Sequence, residues 1–116
     1  MTQSFVDNLF CDGYYLFFRG WILHTGVPSW KISKKIVLYS NTHNIQIIPE
    51  VNLRPDVSAA FNPAGTSGAN YINYDQAGFV LKILKQNLPN DYFNIRIEIN
   101  SDSFSDSVTL NRMIYV

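Results

Sequence analysis

The sequence predicts an all-β domain: an antiparallel β-sandwich, jelly-roll or immunoglobulin-like, with about seven strands and one short helical turn. Three observations predict it. Segments rich in aromatic and β-branched residues alternate between two faces with the period of a strand. Turn signals recur roughly every eight to fifteen residues. Only one segment, Pro55 to Phe61, reads as helical. A compact barrel is the alternative architecture. The 116 residues, 47% hydrophobic and 16% charged, are expected to form one domain over 1–116, large enough to bury about two-thirds of the unfolded surface.

The elements follow in chain order. Residues 4–10 make the first strand, and Asp12-Gly13 is a hairpin turn signal. Tyr14 to Leu23 alternates Leu16, Phe18 and Ile22 against Phe17, Arg19 and Trp21. A loop broken by Gly26 and Pro28 runs from His24 to Ser33. Lys35 to Ser40 is a strand with Ile36 and Leu38 on one side and Val37 and Tyr39 on the other, and Asn41 to Asn44 is a turn. Ile45, Ile47, Pro49, Val51 and Leu53 share the inner side of the next strand, which Pro49 demotes to an edge or a bulge because proline has no N–H for the ladder. Pro55 suits the first position of a helical turn. Residues 62–76 form a long loop rich in Gly, Asn and Ser. Phe79, Leu81 and Ile83 mark a strand ended by Leu88-Pro89-Asn90. The cleanest alternation sets Phe93, Ile95, Ile97 and Ile99 against Asn94, Arg96, Glu98 and Asn100, and Val108 to Val116 carries the last strand. Phe18, Phe79 and Phe93 fall on inward faces.

Charge and composition exclude several classes of function. Nine basic residues balance nine acidic ones, so binding driven by phosphate neutralisation is not expected and nucleic acid is no partner. Lys31, Lys34 and Lys35 cluster, which reads as a solvated edge. No apolar run reaches the roughly 20 residues of a membrane-spanning helix, so no membrane partner is expected. The single cysteine, Cys11, allows no internal disulfide. The chain starts almost directly in a strand and ends inside one, which suggests a module of a larger protein.

No residue set declares a catalytic chemistry, so the domain is expected to be non-catalytic, without metal or cofactor. Glu50 and Glu98 occupy outward mid-strand positions unlike a glycosidase pair in a cleft. Asp91, Asp102 and Asp106 lack the oxygen density of a calcium loop, and His24 and His43 stand alone where zinc needs more ligands. The aromatic residues carry more. Trp30, Tyr71, Tyr74 and Tyr92 lie in loops or outward positions, where a half-exposed ring with a polar tip is tolerated. Sugar rings stack their C–H faces on such rings and take paired hydrogen bonds from planar amides and carboxylates. Tyr71, Asn73, Tyr74 and Asp75 supply both groups within one loop, so the candidate ligand residues are Trp30, Tyr71, Asn73, Tyr74, Asp75 and Tyr92. Each aromatic can equally serve only to anchor its loop.

Three short motifs punctuate the strands: Gly20-Trp21, Arg54-Pro55-Asp56-Val57 and Gly78-Phe79. Physically they read as corners. Arg54 is placed to fork onto a carboxylate or onto loop carbonyls, and Trp21 to roof the sheet edge beneath it. In their order and spacing, over roughly residues 8–100, they resemble a family of small β-sandwich accessory modules. Such modules occur in cell-surface and cell-wall proteins of lactic-acid bacteria and in tail proteins of the phages that infect them. The resemblance implies a carbohydrate-binding module of a phage tail or baseplate protein, located on a virion tail or a cell surface. Its partners would be a bacterial cell-surface saccharide and the neighbouring domains of its own protein. Trp21, Arg54, Asp56 and Phe79 carry over as scaffold landmarks. A structural spacer, or an accessory domain of a surface enzyme, is the alternative role.

Overall fold

A computed structural model of the chain describes residues Met1–Val116. Eight strands form: β1 (Thr2–Cys11), β2 (Tyr15–His24), β3 (Ser33–Tyr39), β4 (Asn44–Ile47), β5 (Glu50–Asn52), β6 (Gly78–Leu84), β7 (Tyr92–Asn100) and β8 (Ser105–Tyr115). A seven-residue helix, α1 (Pro55–Phe61), lies between β5 and β6. The strands build two antiparallel four-stranded sheets, ordered β1-β2-β6-β5 and β4-β3-β7-β8. Lettered A to G, with β4 as C′, that order is A-B-E-D against C′-C-F-G, the Greek key of an immunoglobulin-type sandwich. The jelly-roll alternative drops out.

There is one strand more than expected, because residues 45–53 do not form a single strand. β4 ends in the second sheet, the chain crosses at Ile48-Pro49, and β5 begins in the first. A proline cannot donate to a ladder, and here it marks a change of sheet rather than a bulge. The crossing leaves Val51 and Leu53 exposed, against expectation, and Ile48 is 81% exposed.

The core is the two inward rows. Leu16, Phe18, Ile22, Phe79 and Leu81 of the first sheet face Ile36, Leu38, Phe93, Ile95, Ile97 and Ile99 of the second. Phe18 and Phe79 meet edge to face at 4.9 Å between ring centroids. Each such side chain contributes about 1.5–3 kcal/mol on burial, so the sandwich needs no disulfide. A smaller core of Leu23, Val57, Tyr74 and Ala77 sits under α1, with Trp21, Phe61 and Ile72 packed against it.

The three motifs meet within the first sheet, Gly20 and Phe79 on its inward side and Trp21, Gly78 and Arg54 on its outer face. Gly20 pairs with Phe79, and Trp21 with Gly78. A methyl group on Gly20 would lie 2.3 Å from the Phe5 carbonyl oxygen. One on Gly78 would lie 2.0 Å from the Asn52 carbonyl oxygen and 2.5 Å from Cγ of Arg54. Arg54 therefore lies directly across Gly78. Its guanidinium forks onto Asp56 at 3.0 and 2.9 Å and reaches Asp7 on β1 at 2.5 Å. Trp21 is not roofed by Arg54; it meets Phe61 of α1 edge-on at 5.5 Å.

The strand directions gather residues 25–32, 53–77 and 101–104 at one end of the sandwich, and the turns 12–14, 40–43 and 85–91 at the other. Between β1 and β8 the sandwich is closed, Arg112 donating to the Leu9 carbonyl at 3.0 Å.

Candidate functional site

Five of the six candidate residues gather at the 25–32 end, and Tyr92 does not. Tyr92 opens β7, whose far end, Asn100, pairs with Ser33 beside the Trp30 loop. Nine residues of strand put roughly 26 Å between those two ends. Tyr92 packs instead on Tyr115, 4.6 Å across the ladder. The six residues are not one site.

Three of the remaining five hold the loop together. Tyr74 is 3% exposed, a correction to its placement as an exposed sugar platform. Its ring meets Phe61, and its hydroxyl accepts the Gly26 N–H at 2.9 Å. A ring with a polar tip suits a half-exposed position, but it suits a buried one equally when the tip finds a donor. Asp75 accepts the Ser58 hydroxyl at 2.6 Å, while Ser58 Oγ accepts the Tyr74 N–H at 2.8 Å. The Asn73 side chain takes the Asp75 N–H at 2.8 Å, and its carbonyl takes the Ser29 N–H at 3.0 Å. Asn62 ties the end of α1 to Ile72 through both atoms of its amide. The 62–76 loop is thus a braced element whose exposed large ring is Tyr71.

Trp30 is 60% exposed on a 3-10 turn, Ser29–Lys31, with Ser29 buried beneath it. The Lys31 ammonium lies 5.2 Å from its ring centroid. A shallow depression of about 360 Å³ is lined by Trp30, Lys31, Ser33, Asn100, Ser101 and Asp102. Ser33 and Asn100 are cross-strand partners, so the loops that leave them must meet; that pairing is the signal by which Asn100 and its neighbours could have been added to Trp30. The Asp102 carboxylate has no hydrogen-bond or ion-pair partner within the chain, and the sequence raises Asp102 only as an insufficient calcium ligand. Through Ser33 and Asn100 the depression continues into a cleft of about 270 Å³ lined also by Lys34, Lys35, Glu50 and Glu98. No group of three or more His, Cys, Asp or Glu side chains converges to hold a metal.

Lys34 departs from the solvated edge expected of the lysine cluster. It shares the inward side of β3 with Ile36 and Leu38, and its ammonium emerges to donate to the Gln76 carbonyl at 2.7 Å. Burial lowers its pKa to about 8.

At the opposite end, Ser40, Thr42, His43 and Asp91 meet, a set of residue types that also occurs in hydrolases. Here the carboxylate is the hub. Asp91 Oδ2 accepts the Ser40 hydroxyl at 2.5 Å and the Thr42 hydroxyl at 3.0 Å, and meets His43 Nδ1 at 2.8 Å. Oδ1 accepts the Tyr92 N–H at 2.7 Å. The Ser40 and His43 hydrogen bonds hold this carboxyl well below the usual carboxylate range. The Ser40 proton points at the carboxylate, not at an imidazole nitrogen, so no base is aligned to activate the oxygen. The cluster clamps the 40–43 turn onto the start of β7.

Compared with known proteins, the chain matches no family model, and no curated protein or solved structure is significantly similar to it. The immunoglobulin-type strand order describes an architecture and by itself assigns no activity.

Proposed function

We propose that the domain is a non-catalytic carbohydrate-binding module that recognises a bacterial cell-surface saccharide through the Trp30 end of the sandwich. One observation carries the reading. An exposed indole borders a shallow depression whose walls are Asn100, Ser101, Ser33 and the unpartnered carboxylate of Asp102. An indole face offers the stacking surface a pyranose needs, and a free carboxylate with neighbouring hydroxyls offers the hydrogen bonds that orient it. The continuing cleft toward Lys35 and Glu98 gives room for more than one sugar unit. The setting in a phage tail or baseplate protein rests on the ordered motifs Gly20-Trp21, Arg54–Val57 and Gly78-Phe79 alone. In that setting weak single sites act together, because many copies raise the effective concentration.

The test is a titration against an array of bacterial cell-wall polysaccharides, followed by the same titration with Trp30→Ala and Asp102→Ala. The expected result is binding to at least one saccharide, weakened at least tenfold by Trp30→Ala, with the melting temperature of that variant nearly unchanged. No binding at high micromolar module, or binding indifferent to Trp30, would remove the reading. A structural spacer role gains one specific observation, an exposed aromatic pair on the outer face of the first sheet, where Phe10 of β1 stacks on Phe17 of β2.

A further inference from the structure

We propose that the Trp30 site takes a branched saccharide, with the branch-point sugar seated at Asn100 and one arm running to each side of β7. The inference rests on the carbohydrate reading and names the ligand class of that same site. The depression beside Trp30 parts into two hollows. Ser33, Asn100 and Ser105 are neighbours in one cross-strand row of the second sheet, and Lys35, Glu98 and Ser107 in the next. Glu98 and Asn100 point outward, because Phe93, Ile95, Ile97 and Ile99 take the inward positions of β7. Neighbours on one face of a strand are about 6.8 Å apart, and adjacent strands lie about 4.8 Å apart. The two long side chains therefore stand as a ridge along β7, and the short serines beside them leave space. On the β3 side is the cleft of about 270 Å³ that reaches Glu50. On the β8 side, a second hollow of about 480 Å³ is lined by Glu98, Asn100, Ser105, Asp106 and Ser107. Asn100 is common to both hollows and to the Trp30 depression.

Each of the three directions ends in polar groups that the chain leaves free. Toward Trp30 this is the Asp102 carboxylate. On the β3 side it is the backbone of Lys34. The Ser40 N–H donates to the His43 carbonyl, so by the alternation of an antiparallel ladder Leu38 and Ile36 bond β4, and Lys34 is next in that series. β4 has already ended at Ile47, which leaves the Lys34 N–H and carbonyl facing the cleft. The Glu50 carboxylate there takes part in no ion pair, and the Lys35 ammonium bonds only the Gln46 amide. On the β8 side the groups are the exposed hydroxyls of Ser105 and Ser107. At the junction, Asn100 is braced: its side-chain oxygen accepts the Ser105 hydroxyl, and its backbone carbonyl accepts the Ser33 hydroxyl at 3.3 Å. The Asn100 side-chain NH2 is thereby oriented and left free to donate to a sugar. A linear chain can follow Trp30 into one hollow or pass from one hollow to the other, and it leaves the third direction empty. A branch-point sugar carries three glycosidic links and fills all three. The two hollows also differ in chemistry, charged on the β3 side and rich in hydroxyls on the β8 side, so they suit two unlike branches.

Calorimetric titration of the full chain with three probes tests the assignment. The probes are a branched glycan selected on an array of bacterial cell-wall polysaccharides, and the two linear oligosaccharides left when a glycosidase trims one branch or the other. The branched glycan should bind about tenfold or more tightly than either linear product. Ser107→Tyr, which fills the β8 hollow, should weaken the branched glycan and one linear product. Glu50→Ala, which strips the β3 hollow of its free carboxylate, should weaken the branched glycan and the other product. Both positions are exposed, so both variants should keep the parent melting temperature. The comparison of the three glycans uses the parent chain alone and stands whether or not a variant folds. A linear product that binds as tightly as the branched glycan, or an array that selects only linear glycans, overturns the branch-point assignment and leaves the carbohydrate reading in place. A branched glycan indifferent to both variants overturns the assignment as well. Binding to no saccharide removes the reading and the assignment together.

Discussion

Tyr74 carries its hydroxyl to the backbone N–H of Gly26 at 2.9 Å, and that bond lets a large polar-tipped ring sit 3% exposed against Phe61, Leu23 and Val57. Trp30 has no such tie and stays on the surface. Tyr74→Phe keeps the ring and loses the bond, so it should cost about 1 kcal/mol. Tyr74→Ala opens a cavity beneath α1 and should cost about 3–5 kcal/mol. Trp30→Ala removes an exposed side chain and should stay within about 0.5 kcal/mol. Urea denaturation of the three variants separates loop brace from surface ring; a Tyr74→Ala protein as stable as the parent would return Tyr74 to the list of ligand candidates. From sequence the two residues look alike. Both are loop aromatics with a polar residue on either side, and only the partner of the polar tip, distant in sequence, distinguishes them.

At the scale of elements, the motifs around β2, β6 and α1 form a backbone crossing that tolerates no side chain at two points. Adding a Cβ at Gly20 or Gly78 drives it into backbone oxygens of β1 or β5, which cannot move without opening the ladder. Gly20→Ala and Gly78→Ala should each cost about 2–4 kcal/mol as overpacking with backbone displacement. Gly13→Ala, with nothing within 4 Å, should stay within about 0.5 kcal/mol. Thermal melts of the three variants check this; equal melting temperatures would mean that the approach of β1 and β5 to β2 and β6 is not tight. The strands themselves were legible wherever one face is buried, since a period of two is a local property; residues 93–100 are the clearest case. Strand order was not legible, because the pairings of β2 with β6 and of β3 with β7 join distant segments. The Ile48-Pro49 crossing was half legible: proline announced an interruption, while the change of sheet depends on which partner each half finds. The candidate site was legible to the same degree, Trp30 from its own loop and Asn100 to Asp102 only once the register of β3 with β7 was known.

For the whole molecule, balanced charge leaves stability to vary with pH through a few individual groups, and they act at opposite ends of the scale. Asp12, Asp56, Asp91 and Asp106 all have carboxyls held below their ordinary value by hydrogen bonds to the charged form. Their stabilisation is complete above the unfolded carboxylate pKa, near 3.9, and is lost as pH falls below it. Lys34 acts in the other direction. Its ammonium is depressed to about 8 by burial from an ordinary 10.5. Below pH 8 it is charged in both states and the desolvation cost is fully present. Between about 8 and 10.5 the unfolded chain still binds the proton and the folded chain has released it, so stability rises with pH. Lys34→Met keeps an unbranched stem in the inward row beside Ile36 and removes the charge. It should raise stability at pH 7 by about 1–2 kcal/mol, less than the shift alone implies because the ammonium end reaches solvent and bonds Gln76. Urea titrations of parent and variant at pH 7, 9 and 10.5 should show that advantage shrinking steadily toward zero. A constant difference across the three pH values would show that Lys34 titrates as a solvated surface lysine.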